Sequence, residues 1–250
     1  MLEVEGLTKY YKRFCAVDNL SFVVNPGEIV GLLGPNGAGK TTVLRCIAGI
    51  LRKTSGSVRI AGIDADTDTK AAKMNLAFVP ELPSLYELLT VREHLRFIAM
   101  CFEALDRYEQ VGTELLERYD LIEKENELVA TLSKGMKQKL AVTCALVHNA
   151  KVFLLDEPLI GIDPRGAAQL KQQFSEAAEA GAAVLVSTHL LDTAERLCDR
   201  VIIMSRGEKL EDGTLSELRE RCASSGDATL EEIFLKLTRE ADETAAVPDL

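Results

Sequence analysis

Residues 34–42 combine small residues with one lysine and two threonines. They follow an apolar run at 28–33 and precede a pattern that predicts a helix beginning near Lys40. A strand, a G-x-x-x-x-G-K-[ST] loop and a helix in this order are typical of a site whose backbone N–H groups and helix N-terminus bind phosphate. The predicted phosphate-binding residues are Gly34, Pro35, Asn36, Gly37, Ala38, Gly39, Lys40, Thr41 and Thr42.

Two side chains of this loop have the chemistry that binding of a nucleoside triphosphate needs. Lys40 offers a point charge to the outer phosphates, and the Thr41 hydroxyl is the expected Mg²⁺ ligand. A glycine-rich turn with an incidental Gly-Lys-Thr is the alternative. The strand before the loop and the helix after it favour the phosphate site.

A carboxylate pair, Asp156-Glu157, directly follows the apolar run at 151–155. Oxygen ligands at a strand end beside a phosphate loop suit a hydrated Mg²⁺, so Asp156 is predicted to hold the metal. Glu157 is predicted to orient and polarise the water that attacks the γ-phosphate. The alternative is an acidic residue that merely ends a strand.

Composition narrows the class of partner. The chain has 250 residues, is 47% hydrophobic and carries a formal net charge of −10. Affinity for nucleic acid rests on many Lys and Arg contacts to phosphates, so we expect no nucleic acid as the main partner. Met1 to Glu5 show no signal-peptide pattern, and no apolar run reaches the roughly 18 residues of a membrane span. Work at a membrane would therefore require a partner's spans.

Alternating strand and helix patterns predict an α/β domain with a mostly parallel sheet. The strand candidates are 28–33, 75–79, 151–155 and 183–187, with a hairpin at 200–205 and 208–210 and β character in the first 25 residues.

Two helical regions complete the predicted organisation. Residues 84–149 form a helical insertion, whose first helix has a capping box of Thr90 and Glu93. Thr229 and Glu232 repeat this pattern before an amphipathic helix near the C-terminus. We predict one domain over 1–240 and a frayed tail over 241–250.

The order of these motifs resembles that of the ATP-binding cassette (ABC) ATPases over residues 2 to about 240. The most specific element is Leu132 to Met136, L-S-K-G-M, in place of the family's L-S-G-G-Q signature. The resemblance implies a P-loop NTPase core, an N-terminal antiparallel β-subdomain and an inserted α-helical subdomain. It also implies that Ser133 and Gly135 bind the γ-phosphate of ATP held by a second subunit. Lys134 departs from the family's glycine and favours the same anion.

Two further residues resemble functional positions of the family. Tyr11 resembles the aromatic residue that stacks on adenine, although Tyr10 beside it leaves the choice open. Asp163 closes the sequence Gly161-Ile162-Asp163, which resembles the loop that communicates across the dimer.

His189 and Glu81 also fall at family positions. His189 resembles the histidine that contacts the γ-phosphate and Glu157. Glu81 stands where the family usually has a glutamine that binds Mg²⁺ and the attacking water. A carboxylate keeps the oxygen ligand and loses the amide donor.

The resemblance implies an ATP-hydrolysing subunit, two copies of which, or one copy and a homologue, close head-to-tail around two ATP–Mg²⁺. It would lie peripherally on the cytoplasmic face and drive a separate integral membrane permease. The segments L-S-K-G-M-K-Q-K and T-L-E-E-I-F-L-K-L-T resemble the exporter branch. A soluble ABC ATPase that acts on the ribosome is the alternative, although such proteins normally carry two cassettes. The absence of an N-K-x-D motif argues against a P-loop GTPase.

Overall fold

The computed structural model describes residues 1–222 and 228–246. Ten strands and nine α-helices are assigned in this part of the chain. The strands β1–β10 are Leu2–Tyr11, Phe14–Val24, Ile29–Leu33, Ser55–Ile60, Ile63–Asp64, Leu76–Val79, Val152–Asp156, Ala183–Thr188, Arg200–Ser205 and Glu208–Gly213. The helices α1–α9 are Lys40–Ile47, Thr69–Met74, Val91–Cys101, Leu105–Arg118, Lys134–His148, Pro164–Glu179, Leu191–Leu197, Leu215–Cys222 and Leu230–Ala246.

The central sheet has the order β10-β9-β3-β8-β7-β6. All its pairings are parallel except that of the edge hairpin β9–β10. Every residue of β3, β7 and β8 is buried, which explains why these strands read as continuous apolar runs in the sequence. The predicted α/β fold with a mostly parallel sheet is confirmed.

A second, antiparallel sheet has the order β2-β1-β4-β5. Its apolar face packs with α1 and the central sheet in one core, to which Leu2, Leu20, Leu44 and Leu154 belong. The predicted N-terminal antiparallel β-subdomain is thus present, and it positions β2 beside the loop that precedes α1.

The helical insertion lies between β6 and β7. Helices α3, α4 and α5 pack together in a core that includes Leu95, Leu116 and Leu140. The predicted capping box at α3 is present, with both the Thr90 and the Glu93 hydrogen bonds formed. Ser133 is the N-cap of α5, which places the start of the L-S-K-G-M helix at the predicted residue.

The C-terminal helices α8 and α9 pack against β10 and β9, the hairpin at one edge of the central sheet. Thr229 and Glu232 exchange two hydrogen bonds before α9, so the second predicted capping box is also present. Because α9 runs to Ala246, residues 241–246 of the predicted frayed tail are helical. Residues 247–250 lie outside the described residues. Within 1–222 and 228–246, no helix combines the length and the apolar character that crossing a membrane requires.

Candidate nucleotide site

The register of the central sheet brings the predicted site residues to one edge. Leu33, the last residue of β3, pairs with Thr188, and Asp156 at the end of β7 pairs with Ser187. The phosphate loop, the carboxylate pair and His189 therefore all follow the carboxyl ends of adjacent parallel strands. Ligands of open α/β sheets bind at this edge.

Glycine is required at two places in the loop for different steric reasons. A Cβ on Gly34 would lie 2.6 Å from the Met204 carbonyl oxygen. Gly39 has φ of +104°, and a Cβ there would lie 2.5 Å from the Ala16 carbonyl oxygen. The backbone of β2 and β9 thus fixes the path of the loop from two sides.

The loop ends at a helix start that has no side-chain cap. Gly39 is the N-cap of α1 and forms no side-chain hydrogen bond to the first turn. The first N–H groups of a helix have no intrahelical acceptor, and the helix dipole is positive there. This end of α1 can therefore accept an anion, as the sequence predicts.

Lys40 is buried within the loop. Its Nζ donates to the carbonyl oxygens of Gly34, at 2.6 Å, and Pro35, at 3.3 Å. Burial lowers the pKa of Lys40, and the negative charges of Glu157 and Asp156 oppose that shift. The ammonium group is thus held by backbone dipoles beside two carboxylates.

Asp156 is held by hydroxyl groups of two neighbouring elements. Its Oδ1 accepts hydrogen bonds from Ser187 Oγ at 2.6 Å and from Thr41 Oγ1 at 3.2 Å. The two predicted metal ligands, Thr41 and Asp156, are therefore adjacent. Ser187 was missed from the sequence, although a serine at the end of an apolar strand beside the Asp156 strand was an available signal.

Glu157 has a strained backbone and a partly unsatisfied carboxylate. Its φ is +48°, a region that is unfavourable for a residue with a side chain. Oε1 lies 2.8 Å from Nδ1 of His189, as predicted for this pair. Oε2 is buried and has no hydrogen-bond partner among the described residues. The free oxygen is available to a water molecule or a ligand.

Glu81 is exposed two residues after the end of β6. Because Val79 pairs with Leu155, Glu81 lies at the same sheet edge as Asp156. In the described part of the chain, no hydrogen bond or ion pair joins Glu81 to the other site residues. Its metal-binding role stays a prediction.

The signature residues form a separate surface. Ser133 and Lys134 are exposed, and Ser133 Oγ accepts from the Met136 N–H at 3.3 Å as the cap of α5. No hydrogen bond or ion pair among the described residues joins this helix start to the chain's own loop at 34–42. Gly135 is partly buried, and a Cβ on it would lie 3.1 Å from the Gly161 carbonyl oxygen.

Asp163 is the N-cap of α6, and its Oδ1 accepts from the Gly166 N–H at 2.9 Å. This hydrogen bond is the main reason that the pKa of Asp163 is lowered, with Lys139 adding to the effect.

The aromatic candidates lie at the β1–β2 hairpin. Tyr10 and Tyr11 are 42% and 45% exposed, so exposure does not choose between them. Because successive side chains of a strand point to opposite faces, Tyr10 and Tyr11 lie on opposite faces of β1. The ammonium group of Lys9 lies 5.0 Å from the ring centroid of Tyr11, which already contacts a cation on one side.

The residues at the sheet edge fit a hydrated Mg²⁺. In the described ranges, no group of three or more His, Cys, Asp and Glu residues is arranged to hold a metal ion. Mg²⁺ typically takes only one or two protein carboxylates and completes its shell with water and phosphate oxygens. The hydrogen-bonded pair Thr41 and Asp156 matches that pattern, since it offers one hydroxyl and one carboxylate.

Comparison with known proteins identifies the family. The model of the ABC transporter family matches residues 17–160. The chain belongs to the ABC transporter family. It is 40% identical over 241 residues to the ABC-type transporter ATP-binding protein EcsA of Bacillus subtilis, covering 96% of this chain and 97% of EcsA. It is 33% identical over 246 residues to the linearmycin resistance ATP-binding protein LnrL of the same organism, covering 96% and 77% respectively.

Solved structures agree with this membership. The ATP-binding subunit of an ABC transporter superposes with a TM-score of 0.92 at 36% identity, over 95% of this chain and 99% of that one. The cassette MJ0796, a dimer in a post-hydrolysis state with ADP and Pi, superposes with a TM-score of 0.77 at 27% identity, over 86% and 99%. The chain is an ABC ATPase.

Proposed function

We propose that this chain is the ATP-hydrolysing subunit of an exporter and that two subunits close head-to-tail around two ATP–Mg²⁺. The observation that supports this most directly is the separation of the two anion sites. The chain's own loop at 34–42 lies with Asp156 and Glu157, whereas Ser133 and Lys134 at the start of α5 are exposed. In the part of the chain that the structure describes, no hydrogen bond or ion pair joins that helix start to the loop. A second subunit would bring the two surfaces together, and the similar cassette MJ0796 is dimeric.

Within each site, Glu157 would act as the base that orients water. His189 holds one carboxylate oxygen at 2.8 Å, which leaves the buried second oxygen to accept a hydrogen bond from water. Lys40 and the N-terminus of α1 would bind the phosphates.

Thr41 and Asp156 would hold Mg²⁺, with Glu81 as a further oxygen ligand after β6. When bound, the metal would neutralise charge on the phosphate oxygens. Ser187 orients Asp156 for this role through its 2.6 Å hydrogen bond.

An apolar groove would receive the membrane permease. It lies between residues 76–86 and helices α3 and α5, with a cavity of about 290 Å³. At its rim the apolar side chains of Leu82 and Tyr86 are 67% and 58% exposed, so they are accessible to a partner. This groove adjoins Glu81, so movement of the permease could reach the metal ligand. The protein would then lie peripherally on the cytoplasmic face of the membrane.

The exporter assignment rests on the family branch. The L-S-K-G-M-K-Q-K segment resembles that branch, and the similar LnrL is named for resistance to linearmycin.

The test is to tag the Glu157→Gln variant, trap it with MgATP in mildly solubilised cells and identify what co-purifies. A matched control carries Lys40→Ala as well, which removes the charge that binds the phosphates. We expect a stoichiometric membrane protein with several spans, retained by the first variant and lost from the control. Ribosomal proteins would favour the soluble ABC ATPase instead, and no partner at all would contradict the transport assignment.

A further inference from the structure

One buried lysine joins the two surfaces that would face the second subunit. Lys139 lies on α5, six residues after Ser133, and is only 8% exposed. Its Nζ lies 3.4 Å from Asp120 Oδ2 and 3.9 Å from Asp163 Oδ2. A lysine this deeply buried normally needs such partners, because an unpaired buried charge is strongly unfavourable.

The Asp163 carboxylate is shared between two elements. Its Oδ1 accepts from the Gly166 N–H and caps α6, while its Oδ2 faces Lys139 of α5. The aliphatic part of Lys139 packs against Gly166 in the first turn of α6, because a Cβ on Gly166 would lie only 3.0 Å from Lys139 Cε. A residue larger than glycine at 166 would thus press against the Lys139 side chain.

Two further contacts lie at the start of α5. A Cβ on Gly161 would be 3.7 Å from Cδ and Cε of Lys134, and a Cβ on Gly135 would be 3.1 Å from the Gly161 carbonyl oxygen. The signature residues Lys134 and Gly135 therefore lie against Gly161 of the 161–163 loop. Lys139 supplies the only charged link between α5 and Asp163 that is found within the described residues.

We propose that Lys139 is a positioning residue that makes the signature residues and the 161–163 loop move as one body. This proposal rests on the proposed head-to-tail dimer. In that dimer both surfaces act on the other subunit's nucleotide, so loss of the link would weaken closure. Nucleotide binding to the chain's own loop at 34–42 would stay intact, because Lys139 does not contact that loop.

The experiment compares Lys139→Met, Lys139→Arg and Lys137→Met, each in the Glu157→Gln background for dimerisation and in the wild-type background for turnover. Methionine keeps most of the stem and removes the charge. Lys137 is the matched control, because it lies on the same helix and pairs instead with Glu87 at 2.7 Å. The measurements are binding of a fluorescent ATP analogue to the monomer, sedimentation velocity with MgATP, and kcat against KM.

For Lys139→Met we expect monomer binding of the analogue within twofold of the parent, a dimer dissociation constant at least tenfold higher, and kcat at least tenfold lower. Lys139→Arg should recover dimerisation to within threefold, and Lys137→Met should match the parent. In an Asp163→Asn background, Lys139→Met should add less than threefold, since the link is already broken. Thermal melting checks that each variant folds.

Normal dimerisation and turnover in Lys139→Met would overturn the proposal. So would an equal defect in Lys137→Met, or a loss of monomer binding that accompanies the loss of dimerisation. If the Glu157→Gln parent itself fails to dimerise with MgATP, the head-to-tail dimer is wrong and the proposal falls with it. The two failures are therefore distinguishable.

Discussion

Alanine in place of Gly39 should disrupt the phosphate loop much more than alanine in place of Gly37. Both glycines have positive φ, +104° and +85° respectively. They differ in the space around them. A Cβ on Gly39 meets the Ala16 carbonyl oxygen at 2.5 Å, whereas a Cβ on Gly37 has nothing within 4 Å.

The free energies follow from these two effects. A left-handed backbone costs a residue with a side chain about 1–2 kcal/mol, and both variants incur this cost. Overpacking against a fixed backbone atom adds about 1–3 kcal/mol, and only Gly39→Ala incurs it. We expect losses in the free energy of unfolding of about 1–2 kcal/mol for Gly37→Ala and about 2–5 kcal/mol for Gly39→Ala.

Activity should separate the variants further. The oxygen that a Cβ on Gly39 would displace belongs to β2, so the alternative to displacing β2 is a shift of the loop and the start of α1. A displacement of about 1 Å in a positioned site can lower the rate about a hundredfold. Urea denaturation and MgATP turnover would be measured for both variants. Equal destabilisation, or full turnover in Gly39→Ala, would refute the claim that the β2 backbone fixes the loop.

Three further predictions concern other residues. Ser187→Ala removes a hydrogen bond to a buried carboxylate, so we expect a loss of about 1.5–3 kcal/mol and a higher Mg²⁺ concentration at half-maximal turnover; an unchanged Mg²⁺ dependence would show that Ser187 does not orient Asp156. Glu81→Gln should keep ATPase activity within severalfold, and a loss of a hundredfold or more would show that the carboxylate has a role of its own. Burial lowers the pKa of His94 and His148 below the usual histidine value of about 6.5, so the unfolded chain binds more protons and the free energy of unfolding should fall as the pH drops below about 6.5; urea denaturation between pH 7.5 and 5.5 that gives a constant value would contradict this.

Much of the fold could be predicted because its strands and caps are local patterns. The buried strands β3, β7 and β8 contain short apolar runs, and Gly34, Asp156 and His189 lie at or just after the carboxyl ends of these strands. Parallel pairing then places those ends at one edge, so adjacency of the phosphate loop and the carboxylates followed from topology alone. The capping boxes at Thr90 and Thr229 are also local patterns, and the sequence predicts both of them.

What the sequence did not reveal depends on contacts between distant residues. Ser187 supports Asp156 only because β7 and β8 are neighbours in register. The link from Lys139 to Asp163 requires the packing of α5 against α6, and no spacing rule predicts it.

The separation of the two anion sites in one chain is the centre of this account, and ATP-driven dimerisation tests it most directly. The measurement is sedimentation velocity of Glu157→Gln with and without MgATP, with a fluorescent ATP analogue to confirm binding. The account predicts a monomer without nucleotide, a dimer with MgATP, and a monomer in both conditions when Lys40→Ala is added. A Glu157→Gln protein that binds ATP and stays monomeric at high concentration would contradict it.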